Sequence, residues 1–299
     1  FVKTVVKGDF KKNIILWDFK NVSGNEDLNW LEASLPDIVR LDLHQDLYIV
    51  QHTAWAKLKA QSMGIKKDYE MALQDMKKIS NDYHADFFIT GDFDFVDDMY
   101  EVNIKIYNPA NLKIVDNMTY RNKDCFSLAD EISFGIKEGI DISEAYLDNV
   151  IDLPVTEIFT SSFDAFENYG LWMKYWNENN LTEAAKYLDK TFEIDETFAY
   201  AHFFASVFKV FNNDIQGRID HLKKADQYSG KLIQKYAFIV KIGLLDTGLE
   251  EDGIKRDKII EMWMDLYPHD RQVYEIAIQF AMMKGDNKKQ IELMEMILK

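Results

Sequence analysis

The chain has 299 residues, of which 47% are hydrophobic and 29% are charged, and its formal net charge is −16 at pH 7. This length predicts about two domains, because it is too long for one ordinary hydrophobic core. So acidic a surface argues against binding to nucleic acids or anionic lipids, and no apolar run reaches the roughly 18 residues that a membrane-spanning helix needs.

The first half of the chain alternates strand-like and helix-like patterns. The predicted elements are, in chain order, a strand at 13–19, a helix at 28–43, a strand at 47–50, a helix at 69–83, strands at 86–96, 100–107 and 113–121, and a helix at 126–147. The strands show short apolar runs or two-residue alternation, and the helices show apolar residues three or four apart. The order β-α-β-α-β-β-β-α predicts an α/β layer domain with a mixed sheet over residues 13–150. Because the chain begins with Phe1 rather than Met, residues 1–12 are interpreted as a tail from an upstream region.

The second half reads as pairs of helices. Alternation disappears after Pro154, and similar residues recur 34 positions apart, as in the pair Leu188 and Leu222. Single helix pairs cannot bury their apolar faces alone, so the pairs are expected to stack into a solenoid. The sequence therefore predicts an α+β chain with a linker at 151–162 and helical repeats at 163–299. The third hairpin is longer than the repeat, which predicts an insertion around 248–253.

Motifs in the second half resemble the tetratricopeptide (TPR) repeat. The segment 180–195, beginning Asn-Leu-Thr-Glu-Ala, is similar to the second helix of that repeat. Gly285-Asp286 resembles its inter-helix turn, and Pro268 resembles its terminal proline. The pattern departs from the family where larger residues replace the usual alanine, at Arg218, Arg256 and Gln290.

The first half resembles the TolB-like amino-terminal domain that precedes such repeats in bacterial signalling proteins. The similarity rests on residues 16–24 (Leu-Trp-Asp-Phe, then Asn and Ser-Gly), on 30–35, and on Ala-Asp-Phe-Phe-Ile-Thr-Gly at 85–91. In that group the two modules are attached to cyclases, Ser/Thr kinases or transcriptional regulators. The resemblance implies a sensor or scaffold region of a bacterial protein, cytoplasmic or periplasmic, which an upstream membrane segment could tether.

The TPR resemblance also assigns residues to the concave groove of the repeats. The eight large apolar residues at these positions are Phe166, Tyr169, Met173, Trp176, Tyr200, Phe203, Val207 and Phe211. Such side chains anchor protein interfaces, so they predict a groove that binds a protein or peptide partner. The alternative is that the first helix pair packs these rings against the α/β domain, or against each other as ordinary core.

No pattern in the sequence predicts catalysis, a cofactor or a metal. The phosphate-binding glycine motifs, the nucleophile elbow and the zinc-protease motif do not occur. The six histidines form no pair three or four residues apart, and Cys125 is the single cysteine. The acidic stretch 92–98 has Asp97 where a calcium loop needs glycine, so it predicts a strand and a hairpin turn. We therefore expect a region that is not an enzyme.

Two alternatives stay open. The first is a small-molecule receptor or an enzyme with its site near residues 21–24, because loops after strands commonly bind ligands. The second is a structural role in which the repeats mediate self-association into a homo-oligomer.

Overall fold

A computed structural model of the chain describes residues 11–46, 48–143, 147, 152–246, 249–268 and 270–297. These residues form one five-stranded mixed sheet and 13 helices, which confirms the α+β class. They divide into two compact units, the first ending at Glu196 and the second beginning at Thr197. None of the described helices is both long and apolar enough to cross a lipid bilayer.

The first unit contains the sheet and seven helices. The strands are β1 (Lys12–Asn21), β2 (Ile49–Gln51), β3 (Phe87–Val96), β4 (Met99–Tyr107) and β5 (Ile114–Asn122). The helices are α1 (Leu31–Leu43), α2 (Thr53–Ser62), α3 (Leu73–Asp82), α4 (Cys125–Gly139), α5 (Val155–Ile158), α6 (Phe163–Asn177) and α7 (Leu181–Ile194). The first helical hairpin, α6–α7, thus belongs to the same compact unit as the sheet. The predicted boundaries at 150 and 163 stay predictions.

The sheet has the order β2-β1-β3-β4-β5 and is mixed, as the sequence predicted. β1 runs parallel to both of its neighbours, whereas β3, β4 and β5 form an antiparallel meander. The turn between β3 and β4 consists of Asp97 and Asp98, whose φ angles are 53° and 57°. Positive φ at both central residues is the geometry of a tight two-residue hairpin, so the predicted turn is confirmed.

Helices cover both faces of the sheet. Ile15, Trp17 and Phe88 share a core cluster with residues of α2 and α3. Because neighbouring side chains of a strand alternate, the fully buried Ile14 and Leu16 point to the opposite face. There α1 contacts both β1 and α4.

Two helices, not one, connect β2 and β3. The predicted helix at 69–83 is observed as α3, which is shorter, and the sequence interpretation missed α2 entirely. The reason is that α2 buries Ala56 and Ala60 while Trp55 and Leu58 are exposed, so its large apolar residues do not mark its inner face. The last helix of the predicted α/β domain ends at Gly139. The predicted continuation of this helix is wrong for residues 140–143, which form a turn and irregular chain, and residues 144–146 lie outside the described residues.

Helix α6 approaches α1 closely through a glycine. A Cβ atom at Gly170 would overlap the ring of Trp30 and lie 2.9 Å from Ser34 Oγ. Ser34 is itself fixed, because its hydroxyl donates to the Trp30 carbonyl at 2.8 Å. The absence of a side chain at position 170 therefore allows the two helices to touch.

We expect Gly170→Ala to destabilise the first unit by up to about 2 kcal/mol. Alanine favours the helix by about 1 kcal/mol, but forcing a methyl group into packed side chains costs ~1–3 kcal/mol. Gly253→Ala is the matched control, since a Cβ there would meet only Arg256, at 3.7 Å. That variant should be neutral or more stable in urea unfolding, and a stabilised Gly170→Ala protein would contradict the close approach.

The second unit consists of six helices, each of which packs against the next. They are α8 (Ala199–Phe211), α9 (Ile215–Gln227), α10 (Gln234–Leu244), α11 (Glu250–Leu266), α12 (Arg271–Met283) and α13 (Asn287–Ile297). Trp263 of α11 and Val273 of α12 are fully buried in the core of the last four helices. Helix α11 has 17 residues where α9 has 13, and residues 250–253 of the predicted insertion form its beginning, whereas residue 248 lies outside the described residues.

Candidate functional site

One face of α8 is apolar along its whole length. Spacing of three or four residues places on it Tyr200, Phe203, Phe204, Val207, Val210 and Phe211, and we call this set the α8 face. Four of its six members were predicted to line a groove. The face is therefore a candidate binding surface of the second unit.

The amino-terminal half of the α8 face is covered by α10. The ring of Tyr236 lies 5.1 Å from that of Tyr200 and 5.1 Å from that of Phe203, and 6.3 Å from Phe204. Tyr200 and Phe203 are buried as a result. Aromatic pairs at these separations contribute beyond the area they bury, so the cluster holds this half of α8 firmly against α10.

The carboxyl-terminal half of the α8 face is open to solvent. Val207 is half-buried, Val210 is 46% exposed and Phe211 is 68% exposed. A phenylalanine this exposed next to two valines extends the buried ring cluster as an apolar surface. Contiguous apolar surface of this kind is typical of sites that contact other molecules.

The four predicted residues of α6 lie in the first unit and are placed differently. Phe166 is fully buried, and its ring lies 5.1 Å from Trp30. Tyr169 is also buried, and its hydroxyl donates to Asp37 Oδ2 at 3.2 Å. Met173 and Trp176 are half-buried. Phe166 and Tyr169 thus contact α1 and its surroundings, and Met173 and Trp176 are the accessible members of the set.

A histidine pair joins α8 to α9. His202 Nδ1 lies 2.9 Å from His221 Nδ1, so one ring donates a hydrogen bond to the other. The pair stands 19 positions apart, and the search for histidines three or four residues apart could not have found it. Because its residues lie on consecutive helices, its immediate role is to link the two helices of that hairpin.

The first unit contains a buried charged cluster at the end of β1. The register between β1 and β3 shifts between Leu16 and Phe19, and Asp18 lies within this shift and is 9% exposed. Asp18 Oδ2 lies 2.5 Å from Lys57 Nζ, and Asp18 Oδ1 lies 3.2 Å from Arg40 Nη1. The backbone N–H of Asp18 donates to Asp68 Oδ1 at 3.2 Å.

The carboxyl groups of this cluster titrate differently from one another. Burial alone would raise the pKa of Asp18, but the charges of Lys57 and Arg40 outweigh it and hold the pKa below its ordinary value. Burial, reinforced by the negative charge of Asp18, raises the pKa of Asp68 to about 6. Burial also raises the pKa of Asp37, which lies 3.6 Å from Arg40 Nη2. Three carboxyl groups therefore share two cations.

The contacts of this cluster give it a structural role. Arg40 comes from α1, Lys57 from α2 and Asp68 from the short turn before α3, and all three converge on Asp18. Arg40 Nη1 also donates to the Leu16 carbonyl at 3.3 Å. The charges thus bind two helices and a turn to one strand, and we interpret the cluster as the clamp that fixes the end of β1.

The loop after β1, where the small-molecule alternative places its site, is bonded to itself. Asn21 Nδ2 donates to the Asn25 carbonyl at 2.8 Å, while the backbone N–H and hydroxyl of Ser23 both donate to Asn21 Oδ1. These side chains fix the turn. Nothing in their geometry favours the alternative over the α8 face.

Within the described residues, no group of three or more histidine, cysteine, aspartate or glutamate side chains is placed to hold a metal ion. Comparison of the chain with models of protein families gives no match, and comparison with curated proteins gives none either.

Proposed function

We propose that the chain is a binding region without catalytic activity, which holds a protein or peptide partner on the α8 face. The observation that carries this proposal is Phe211, a phenylalanine 68% exposed on the same helical face as the buried Tyr200 and Phe203. The row provides a rigid base, and the open end provides a place for an apolar anchor of the partner.

The charge of the chain restricts the partner. Residues 197–299 contain 15 Lys and Arg and 15 Asp and Glu, so the net charge of −16 belongs to residues 1–196. An acidic polypeptide would be repelled by the first unit, whereas a neutral or basic one would not. We therefore propose a neutral or basic segment with apolar anchors, bound as an extended strand or an amphipathic helix.

The wider assignment follows from the sequence resemblance. We propose that the helices from α6 to α13 are degenerate TPR repeats, that the sheet and its helices form a TolB-like domain, and that both belong to a bacterial signalling protein. In this proposal, occupancy of the α8 face is relayed to an upstream effector. The consecutive helical hairpins and the five-stranded mixed sheet support it.

Selection of peptides from a displayed random library tests the binding site. We expect wild-type protein to enrich peptides with aromatic or leucine anchors, and Phe211→Asp to weaken the best of them by at least about 10-fold, since truncating an interface anchor costs ~2 kcal/mol. Phe134→Asp is the matched control, because Phe134 is an exposed helical phenylalanine of the first unit, 47% exposed. Equal weakening by both variants, or by neither, would contradict the assignment.

A further inference from the structure

The last helix, α13, carries an apolar stripe that no described element covers. Ile291 is 59% exposed and Met294 is 47% exposed. Ile291 follows Asn287 by four residues and Met294 follows Ile291 by three, so the three residues share one face of the helix. Leu293, on a different face, is buried in the core of the second unit. The helix thus uses one side for its own fold and presents a second apolar side to solvent.

The charges of α13 are arranged against the helix dipole. Lys288 and Lys289 lie in its first turn, and Glu292 and Glu295 lie in its second half. The dipole favours acidic residues at the beginning of a helix and basic residues at its end, so these four charges gain nothing from it. An antiparallel neighbour of the same sequence would reverse this, because its acidic end would lie beside the basic end.

We propose that α13 pairs antiparallel with α13 of a second copy of this chain. A two-fold axis near the middle of the helix places Ile291 against Met294 of the partner subunit, and Lys288 close to Glu295 of the partner subunit. The same contacts occur twice, as in any isologous interface, and the assembly closes as a dimer.

The size of the helix sets the strength of this contact. Eleven residues cannot bury the roughly 1,200 Å² or more that stable interfaces bury, so the dimer is weak. The second unit has equal numbers of basic and acidic residues, but residues 1–196 of each copy carry the net charge of −16, and their mutual repulsion weakens the dimer further. Association should appear at protein concentrations on the order of 0.1–1 mM.

Sedimentation equilibrium of the whole chain over that range tests the proposal. The apparent mass should rise above 35.1 kDa with concentration. Ile291→Lys should weaken the association by at least about 10-fold, because it places two charges at the centre of the interface. Met296→Lys is the matched control: it changes an exposed residue of the same helix, 54% exposed, on the side away from the stripe. It should associate like wild type.

Charge reversal tests the antiparallel register. Lys288→Glu and Glu295→Lys should each weaken the dimer several-fold, and the double variant should recover most of the wild-type association. Circular dichroism of each variant checks that α13 stays folded, since Lys288 also pairs with Glu292 at 3.8 Å. A monomer at all concentrations, equal effects of Ile291→Lys and Met296→Lys, or a double variant weaker than both single ones would each overturn the proposal. Phe211→Asp should leave the dimer intact, so this test is independent of the peptide-binding one.

Discussion

Replacing Arg40 with methionine is expected to destabilise the first unit by about 3–5 kcal/mol at pH 7.5 and by clearly less at pH 5. Arg40 contacts Asp18 at 3.2 Å and Asp37 at 3.6 Å, and its side chain is only 11% exposed. Without it, three buried carboxyl groups would share Lys57 alone. Methionine fills much of the same volume, so the loss reports charge rather than a cavity.

The pH dependence follows from the direction of the pKa shifts. The pKa values of Asp37 and Asp68 are already raised in the folded protein, and losing a cation raises them further. A raised carboxyl pKa costs stability as pH rises through the window between the unfolded and folded values, and the cost is absent below it. The difference between wild type and Arg40→Met should therefore shrink on acidification, because the uncompensated carboxyl groups take up protons.

The measurement is urea unfolding at each pH, followed by a short pulse of hydrogen exchange. Exchange in peptides from β1 and α1 reports the unfolding of the first unit by itself. Lys67→Met is the control, since Lys67 is 49% exposed and pairs with Glu32 at 3.4 Å. An exposed pair of this kind contributes at most about 1 kcal/mol. A loss in Arg40→Met no larger than in the control, or one that is the same at both pH values, would show that the cluster is not a clamp.

The cluster also shows where sequence reasoning stops. The pattern of residues 13–19 predicted a buried strand correctly, because alternation and apolar runs are local properties of the chain. It could not predict that the partners of the buried Asp18 stand 22, 39 and 50 positions away at Arg40, Lys57 and Asp68. Contacts of that range are set by the packing of whole elements, which no local pattern records.

The predicted groove residues illustrate a second limit. Helical spacing correctly grouped Tyr200, Phe203, Val207 and Phe211 on one face of α8. It could not tell which element covers that face, and the structure shows Tyr236 of α10 over only its first half. In α6 the corresponding Phe166 contacts Trp30, which lies 136 positions earlier. Periodicity identifies an apolar face, whereas exposure depends on its neighbours.

Whether a large residue is tolerated where the TPR pattern has alanine also depends on its neighbours in the fold. Arg256 stands where the TPR pattern usually has alanine, yet it is 7% exposed. Its guanidinium lies 3.7 Å from the centre of the Phe280 ring, and it forms ion pairs with Asp246 and Asp257. A planar cation over an aromatic ring can be buried at modest cost, so the helices accommodate a large residue where a small one is expected.

A second buried charged group links α1 and α4 to Asp152. Lys137 Nζ lies 2.7 Å from Asp152 Oδ2 and 4.0 Å from Asp42 Oδ2, and the hydroxyl of Ser133 donates to the Asp42 carboxylate. Gln45 Nε2 donates to Asp42 Oδ1 at 2.7 Å. Burial raises the pKa of Asp42 to about 7, because the attraction of Lys137 does not fully offset it.

This pKa predicts that Asp42 makes the protein less stable as pH rises from about 4 to 7. The folded state binds the Asp42 proton more tightly than the unfolded state, whose ordinary value is 3.8, so the cost of ionising the buried carboxyl grows through that window and is complete above it. With 1.36 kcal/mol for each pKa unit, wild type should lose about 2–3 kcal/mol more stability between pH 5 and pH 8 than Asp42→Asn. The amide keeps the shape of the side chain and can accept from Gln45, so the variant should fold.

Urea unfolding at several pH values, with the hydrogen-exchange pulse read in peptides from α1 and α4, measures how the stability of wild type and of Asp42→Asn changes with pH. Asp82→Asn, an exposed carboxyl at the end of α3, should keep the wild-type pH dependence. If Asp42→Asn lost as much stability as wild type between pH 5 and 8, Asp42 would be ionised throughout, and Lys137 would have to offset its burial completely. If instead the variant were nearly independent of pH, one carboxyl group would account for most of the change. The contact between α1, α4 and the chain after residue 152 would then weaken when Asp42 ionises near neutral pH.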